Sequence, residues 1–231
     1  MTLAQVIRTL IRRHGAALKP VSRDPFALIL YEQVAYLAPE ARRRAAFRQL
    51  EREVGVTAEA IVSAPRRKLE AIARAGGAIA PELRATRMRT SAEMVIGTWD
   101  GDLRTALAQP LPKARATLAA FPMIGKPGAD RILAITGAHA VFGLDSNALR
   151  VLCRIGWGKE TTQYAATYRS VQEAVTRELP TKPAKLAEYS AVLQRHGQEL
   201  CRRTAPKCSE CAVVSLCRFG RSAAPANRPR A

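Results

Sequence analysis

Aromatic side chains are scarce in this 231-residue chain, at 5%, and so are acids, with 19 Asp and Glu against 37 Lys and Arg. No apolar run approaches the roughly 20 residues that a bilayer crossing requires. The opening M-T-L-A-Q-V-I-R has no secretory core. Each shortage narrows the possibilities. Few aromatics in a chain that is 48% hydrophobic favour helices packed on helices over a sheet sandwich, and so an all-α fold. No segment shows the alternation of a strand, and no tandem repeat of solenoid period is present. The acid shortage leaves a formal net charge of +18 and predicts a polyanionic partner, nucleic acid first. With neither secretory core nor membrane span, the chain reads as cytoplasmic, and its five cysteines are not expected to form a disulfide framework.

What is present is a series of short helices. Leu3, Val6, Ile7, Leu10 and Ile11 mark one face of a helix ending near His14-Gly15. Asp24-Pro25 is a helix start, with the Asp as cap and the Pro at the first position. The stretch F-A-L-I-L-Y-E-Q-V-A-Y-L that follows is almost wholly apolar, yet carries Glu32 at its centre. Two readings of Glu32 stand open. It lies on a narrow exposed stripe, or it faces a pocket where desolvation raises its pKa and suits it to proton transfer. Pro39 opens a helix with a basic face, Thr57 and Ser63 read as caps, and Gly76-Gly77 breaks the chain. A longer helix over 81–96 carries Arg84, Arg87 and Arg89.

The centre of the chain is the stretch from Phe121 to Arg150. F-P-M-I-G-K-P-G-A-D-R-I-L reads as two helices joined by a tight glycine turn. Glycine there lets backbone pass close to a phosphate, whose oxygens the next helix's N–H groups can meet. Downstream, in G-L-D-S-N-A-L-R, Asp145 is a good helix cap. It is also a carboxylate of the kind that stabilises an oxocarbenium-like sugar. Near the C-terminus Cys201, Cys208, Cys211 and Cys217 follow the spacing C-x6-C-x2-C-x5-C. Four thiolates in one short loop can wrap one centre, either zinc or an iron–sulfur cluster. Cys153, in V-L-C-R-I, reads as a core residue. The small, Pro-rich and basic residues after Gly220 read as a disordered tail over 221–231.

The hairpin, G-L-D-S-N-A-L-R, R-H-G-Q-E-L-C and the cysteine loop together resemble the helix–hairpin–helix DNA glycosylases of the endonuclease III and adenine-DNA glycosylase type. That resemblance implies a two-lobed helical fold. A six-helix barrel domain over 23–140 would carry the hairpin. Residues 1–22 and 141–220 would form a helical domain with a [4Fe-4S] cluster on the four cysteines. It implies a base-excision-repair enzyme, monomeric and nucleoid-associated, that acts on double-stranded DNA with a lesion or mismatch and flips a nucleotide out. Ile124, Gly125, Lys126 and Gly128 would hold the DNA backbone. Asp145 matches the family's catalytic aspartate, and Glu32 falls where adenine-DNA glycosylases carry a catalytic glutamate. Tyr31, Tyr36 and Leu37 fall at the base pocket or wedge, with Tyr36-Leu37 replacing the family's glutamine. Bifunctional members carry a lysine where this chain has Pro127. The pattern therefore implies a monofunctional glycosylase. The alternatives are a glycosylase with lyase activity and a catalytically silent DNA-structure binder.

Overall fold

The caps visible in the sequence mark where several helices begin. Thr2 and Gln5 form a reciprocal capping box at the head of α1 (Leu3–His14). The Asp24 carboxylate accepts from the Ala27 N–H at 2.9 Å and starts α2 (Pro25–Val34). Pro39 precedes α3 (Glu40–Glu53), and Thr57 caps α4 (Ala58–Ser63). Ser63 does not cap a helix as its type suggests. It is the last residue of α4, and α5 (Arg66–Ala75) follows Pro65 with no side-chain cap. Then come α6 (Pro81–Trp99), α7 (Arg104–Leu107), α8 (Leu111–Ala119), α9 (Lys126–Thr136), α10 (Ser146–Ile155), α11 (Tyr164–Val175), α12 (Pro183–Glu199) and α13 (Arg218–Ala223). The structure, a computed structural model, describes residues 2–223. Helix α13 reaches three residues into the segment expected to be a tail, and the rest of that segment lies outside the described residues. No described helix is long and apolar enough to cross a membrane.

The chain divides into two compact units, Pro20–His139 and a second built from Met1–Lys19 with Ala140–Ala231. The first holds α2 to α9. Its helices bury Phe26, Ile29, Leu30, Phe47, Leu50, Ile72, Met88 and Leu133. Burying each of these contributes about 2 kcal/mol against the entropy of ordering the chain. Arg84, read from sequence among the basic residues of α6, is not a surface cation. It is 1% exposed and donates to the carbonyls of Val34, Gly77 and Ile79, which closes the end of α2 against the α5–α6 turn. Gly76 is required at that junction by space. A Cβ there would sit 2.2 Å from the Val34 carbonyl oxygen.

The second unit joins α1 to α10–α13. Leu3, Val6, Ile7 and Leu10 of α1 enter one core with Leu149, Leu152, Tyr168, Val171, Val192 and Leu193. Cys153 packs at the margin of this core and is half-buried, where the sequence pattern had placed it inside. Gly76→Ala is expected to destabilise the first unit by about 3 kcal/mol, the cost of overpacking against backbone that has no room to move. The measurement is urea unfolding followed by helical circular dichroism.

Candidate functional site

Helices α8 and α9 form the helical pair of the hairpin. The residue in the left-handed region is Met123, at φ 69°, while Gly125 has an ordinary φ of −83° and serves as the N-cap of α9. A Cβ on Gly125 would meet only Pro127 Cδ at 3.8 Å, and one on Gly128 only Ile124 Cγ2 at 3.6 Å. Neither glycine is demanded by backbone angle or by internal packing. Gly125 is exposed, and no side chain caps the first turn of α9. Pro127 lies in that first turn and removes one N–H from it. Ile124 is buried beneath the turn. The Lys126 ammonium pairs with Asp130 at 2.9 Å; Asp130 is 1% exposed and also pairs with Arg115 of α8. Gln33 of α2, fully buried, donates to the Pro122 carbonyl at 2.9 Å and to Ser91 at 2.8 Å, which ties the turn to α2 and α6.

Glu32 lies in the same unit as the hairpin. Its side chain is 17% exposed and does not stand on an open stripe. Arg131 of α9 and Arg43 of α3 both pair with it, the latter at 3.3 Å. Desolvation is the largest single influence and pushes the carboxyl upward, but the two guanidiniums together outweigh it. The result lies below the ordinary glutamate value. The reading in which desolvation raises its pKa is therefore overturned: Glu32 is a carboxylate at neutral pH. Of the three residues expected at the base pocket or wedge, Tyr31 is half-buried. Its hydroxyl donates to Glu40 at 2.7 Å and its ring packs edge-on against Phe47. Burial raises its pKa. Tyr36 and Leu37 lie in the loop after α2, 45% and 76% exposed, and Leu37 holds a left-handed φ of 49°.

Asp145 lies in the second unit, at the head of α10. Its Oδ1 accepts from the Ala148 N–H at 2.8 Å, so it does cap the helix. Its Oδ2 accepts from the Asn147 amide and from the Gln194 amide of α12, each at 3.0 Å. Three donors on a group with about four acceptor sites fix its orientation and leave room for one more partner. Asn147 is held in turn by Arg150, which donates to its Oδ1 at 2.8 Å, to the Gly197 carbonyl at 2.8 Å and to the Cys201 carbonyl at 2.9 Å. A run of hydrogen bonds thus leads from the first cysteine of the loop to Asp145.

Cys201, Cys208, Cys211 and Cys217 line a single cavity, with Val151, Ile155 and His196 among its walls. Among the described residues no three Cys, His, Asp or Glu side chains gather as ligands of one metal ion. Burial raises the pKa of Cys211 and Cys217. Polar groups surround the sulfurs. Arg154 donates toward Cys201 Sγ at 3.5 Å, the Gly220 N–H toward Cys217 Sγ at 3.3 Å, and His196 Nε2 lies 3.6 Å from Cys211 Sγ. Arg154 also bonds the carbonyls of Arg202 and Arg203 and stacks on Phe219, which holds the basic part of the loop. Burial depresses His196 to about 4; its Nδ1 meets His14 at 3.0 Å, and His14 meets Glu199 at 3.0 Å.

Sequence reasoning missed Arg131, Arg43, Gln33, Asn147, Gln194 and the histidine pair. The nearest signals were Gln33 inside an apolar run and the small residue Gly197 after His196, but neither names its partner.

No family model matches the chain. It is 31% identical over 109 residues to endonuclease III of Buchnera aphidicola subsp. Baizongia pistaciae, which covers 47% of each protein. It is 29% identical over 112 residues to adenine DNA glycosylase of Homo sapiens, covering 47% of this chain and 20% of that protein. The chain spans about half the length of the endonuclease III relatives it matches. Among solved structures, a non-covalent endonuclease III–DNA complex superposes with a TM-score of 0.74 at 19% identity, over 96% of this chain and 98% of the other. The chain is thus similar in sequence to endonuclease III and adenine DNA glycosylase over about half its length, and it shares the all-α fold of the solved endonuclease III structures.

Proposed function

We propose that this protein is a base-excision-repair DNA glycosylase that hydrolyses the N-glycosidic bond of a damaged or mispaired base in double-stranded DNA, with no lyase step. The observation that carries the reading is Asp145, held by three donors and left with acceptor capacity for a cationic sugar. As the bond from C1′ to the base nitrogen breaks, its electron pair leaves with the base, which takes up a proton from solvent. The Asp145 carboxylate stabilises the positive charge that develops on the sugar. Water adds at C1′ and gives up a proton to Glu32, which its two arginines keep ionised. A carboxylate in that state suits the acceptance of a proton from water better than protonation of the base.

The hairpin supplies the grip on DNA. Ile124, Gly125, Lys126 and Gly128 would meet a backbone phosphate, a contact that carries no sequence information. Two glycines that the fold itself does not require, at an uncapped helix start, support this role. Tyr36 and Leu37, exposed in their loop, would enter the space beside a flipped nucleotide, with Tyr31 behind them. The four cysteines suit a [4Fe-4S] cluster, because they line one cavity and meet N–H donors of the kind that support thiolate ligands. Such a cluster would cross-link the loop and charge its sulfurs; the chemistry at the sugar does not pass through it. Action as a monomer in the cytoplasm, on the nucleoid, completes the reading.

The absence of a lyase step rests on Pro127, which offers no amine, and on Lys126, which is tied to Asp130 one turn along α9. Borohydride treatment of the protein with its DNA substrate is expected to trap no covalent adduct; a trapped adduct would show lyase chemistry.

Across a panel of lesion-bearing duplexes, base release from at least one is expected, and Asp145→Asn is expected to lower it by about 100-fold. No release from any duplex, with wild type and Asp145→Asn behaving alike, would leave only a DNA-structure binder. The two arginines also determine a pH limb. Glu32 has a depressed folded value, so its ionised form persists above the ordinary carboxylate range and is lost as pH falls through that lower value. Arg131→Met removes one cation, so the acid limb of base release is expected to move to higher pH. A limb that stays in place would remove Glu32 from the reaction.

A further inference from the structure

One face of α12 runs beside the segment that carries Asp145. Ser190, Gln194 and Gly197 stand four and then three residues apart, the spacing of one helical stripe. Each meets a successive part of the segment. The buried Ser190 hydroxyl donates to the Gly143 carbonyl at 2.6 Å. The Gln194 amide donates to Asp145 Oδ2 at 3.0 Å. Gly197 lies against Asn147 so closely that a Cβ there would be 2.8 Å from the Asn147 carbonyl oxygen. The stripe is therefore a cradle, and the closeness permitted at Gly197 is what lets the Gln194 side chain, one turn earlier, reach the carboxylate.

We propose that Gln194 is a positioning residue for Asp145: with Asn147 it holds Oδ2 so that the carboxylate presents its remaining acceptor capacity to the sugar in one orientation. The proposal rests on the catalytic role assigned to Asp145 above. A capping aspartate held through Oδ1 alone still turns about its side-chain bonds. Two amides on Oδ2 remove that freedom without adding charge, and an amide cannot take the proton or neutralise the carboxylate. The arrangement therefore keeps the full negative charge available to a cation on the DNA, where a lysine or arginine in place of Gln194 would cancel it.

The test uses the full-length protein with its cluster intact and needs no knowledge of the target base. Fluorescence anisotropy compares affinity for two duplexes, one with a protonated pyrrolidine abasic analogue and one with a neutral tetrahydrofuran analogue. The ratio of the two affinities reads the negative charge presented to the sugar position. Wild type is expected to prefer the pyrrolidine duplex, and Asp145→Asn to lose that preference. Gln194→Met, similar in length but without a donor, is expected to reduce the ratio by about tenfold, the scale of one hydrogen bond to a charged group. Added to Asp145→Asn it should reduce the ratio no further, because the two act as a unit. A Gln194→Met ratio equal to wild type overturns the proposal. So does an equal loss of affinity for both duplexes, which would mark a packing role alone. A wild type without preference, matched by Asp145→Asn, overturns the assignment of Asp145 itself and the present proposal with it.

Discussion

The close contact of α10 with α12 at Gly197 is the constraint on which the second unit depends. With no side chain at Gly197, the backbone of α12 comes within a Cβ's reach of the Asn147 backbone. At that separation Arg150 can span from Asn147 to the Gly197 and Cys201 carbonyls, and Gln194 can reach Asp145. The His196 ring, next to Gly197, faces the cysteine loop and His14 of α1. One short interface thus joins the candidate catalytic acid, the cysteine loop and the N-terminal helix. Larger side chains at Gly197 would separate all three at once, since packed interiors transmit displacement.

The basic excess has a different meaning in the structure from its meaning in the composition. Several of the 37 cations serve the fold. Arg84 and Arg89 satisfy backbone carbonyls at helix ends, and Arg150 and Arg154 brace the cysteine loop. Arg131 and Arg43 neutralise Glu32, and Arg115 and Lys126 neutralise the buried Asp130. Guanidinium suits this work because its fork of donors serves several acceptors and it stays charged when partly buried. Other cations stand on open helix faces, such as Arg42 and Arg48 of α3 and Arg67 and Lys68 of α5.

Glu32 shows how one residue changes chemical role when its neighbours are known. In sequence it is a lone acid among apolar residues, and burial alone would raise its pKa. In the fold, helices 99 and 11 residues away along the chain each bring a guanidinium to it, and the sign of the shift reverses. The resulting carboxylate fits activation of water. In the hairpin a left-handed residue is supplied by Met123, and neither Gly125 nor Gly128 is demanded by internal packing.

The all-α character, the caps at Asp24 and Thr57, the helix–turn–helix about Gly125, the start of α10 at Asp145 and the grouping of four cysteines were legible in the residues alone. These depend on local chemistry: capping hydrogen bonds, proline geometry, apolar periodicity and short spacing. Only the tertiary structure decided which cations meet Glu32, that Gln33 holds the hairpin turn, that Gln194 reaches Asp145 and that the cysteines line one cavity. Each of these depends on how separate helices and loops pack together. A residue's type states what it can bond to, but packing alone selects the partner.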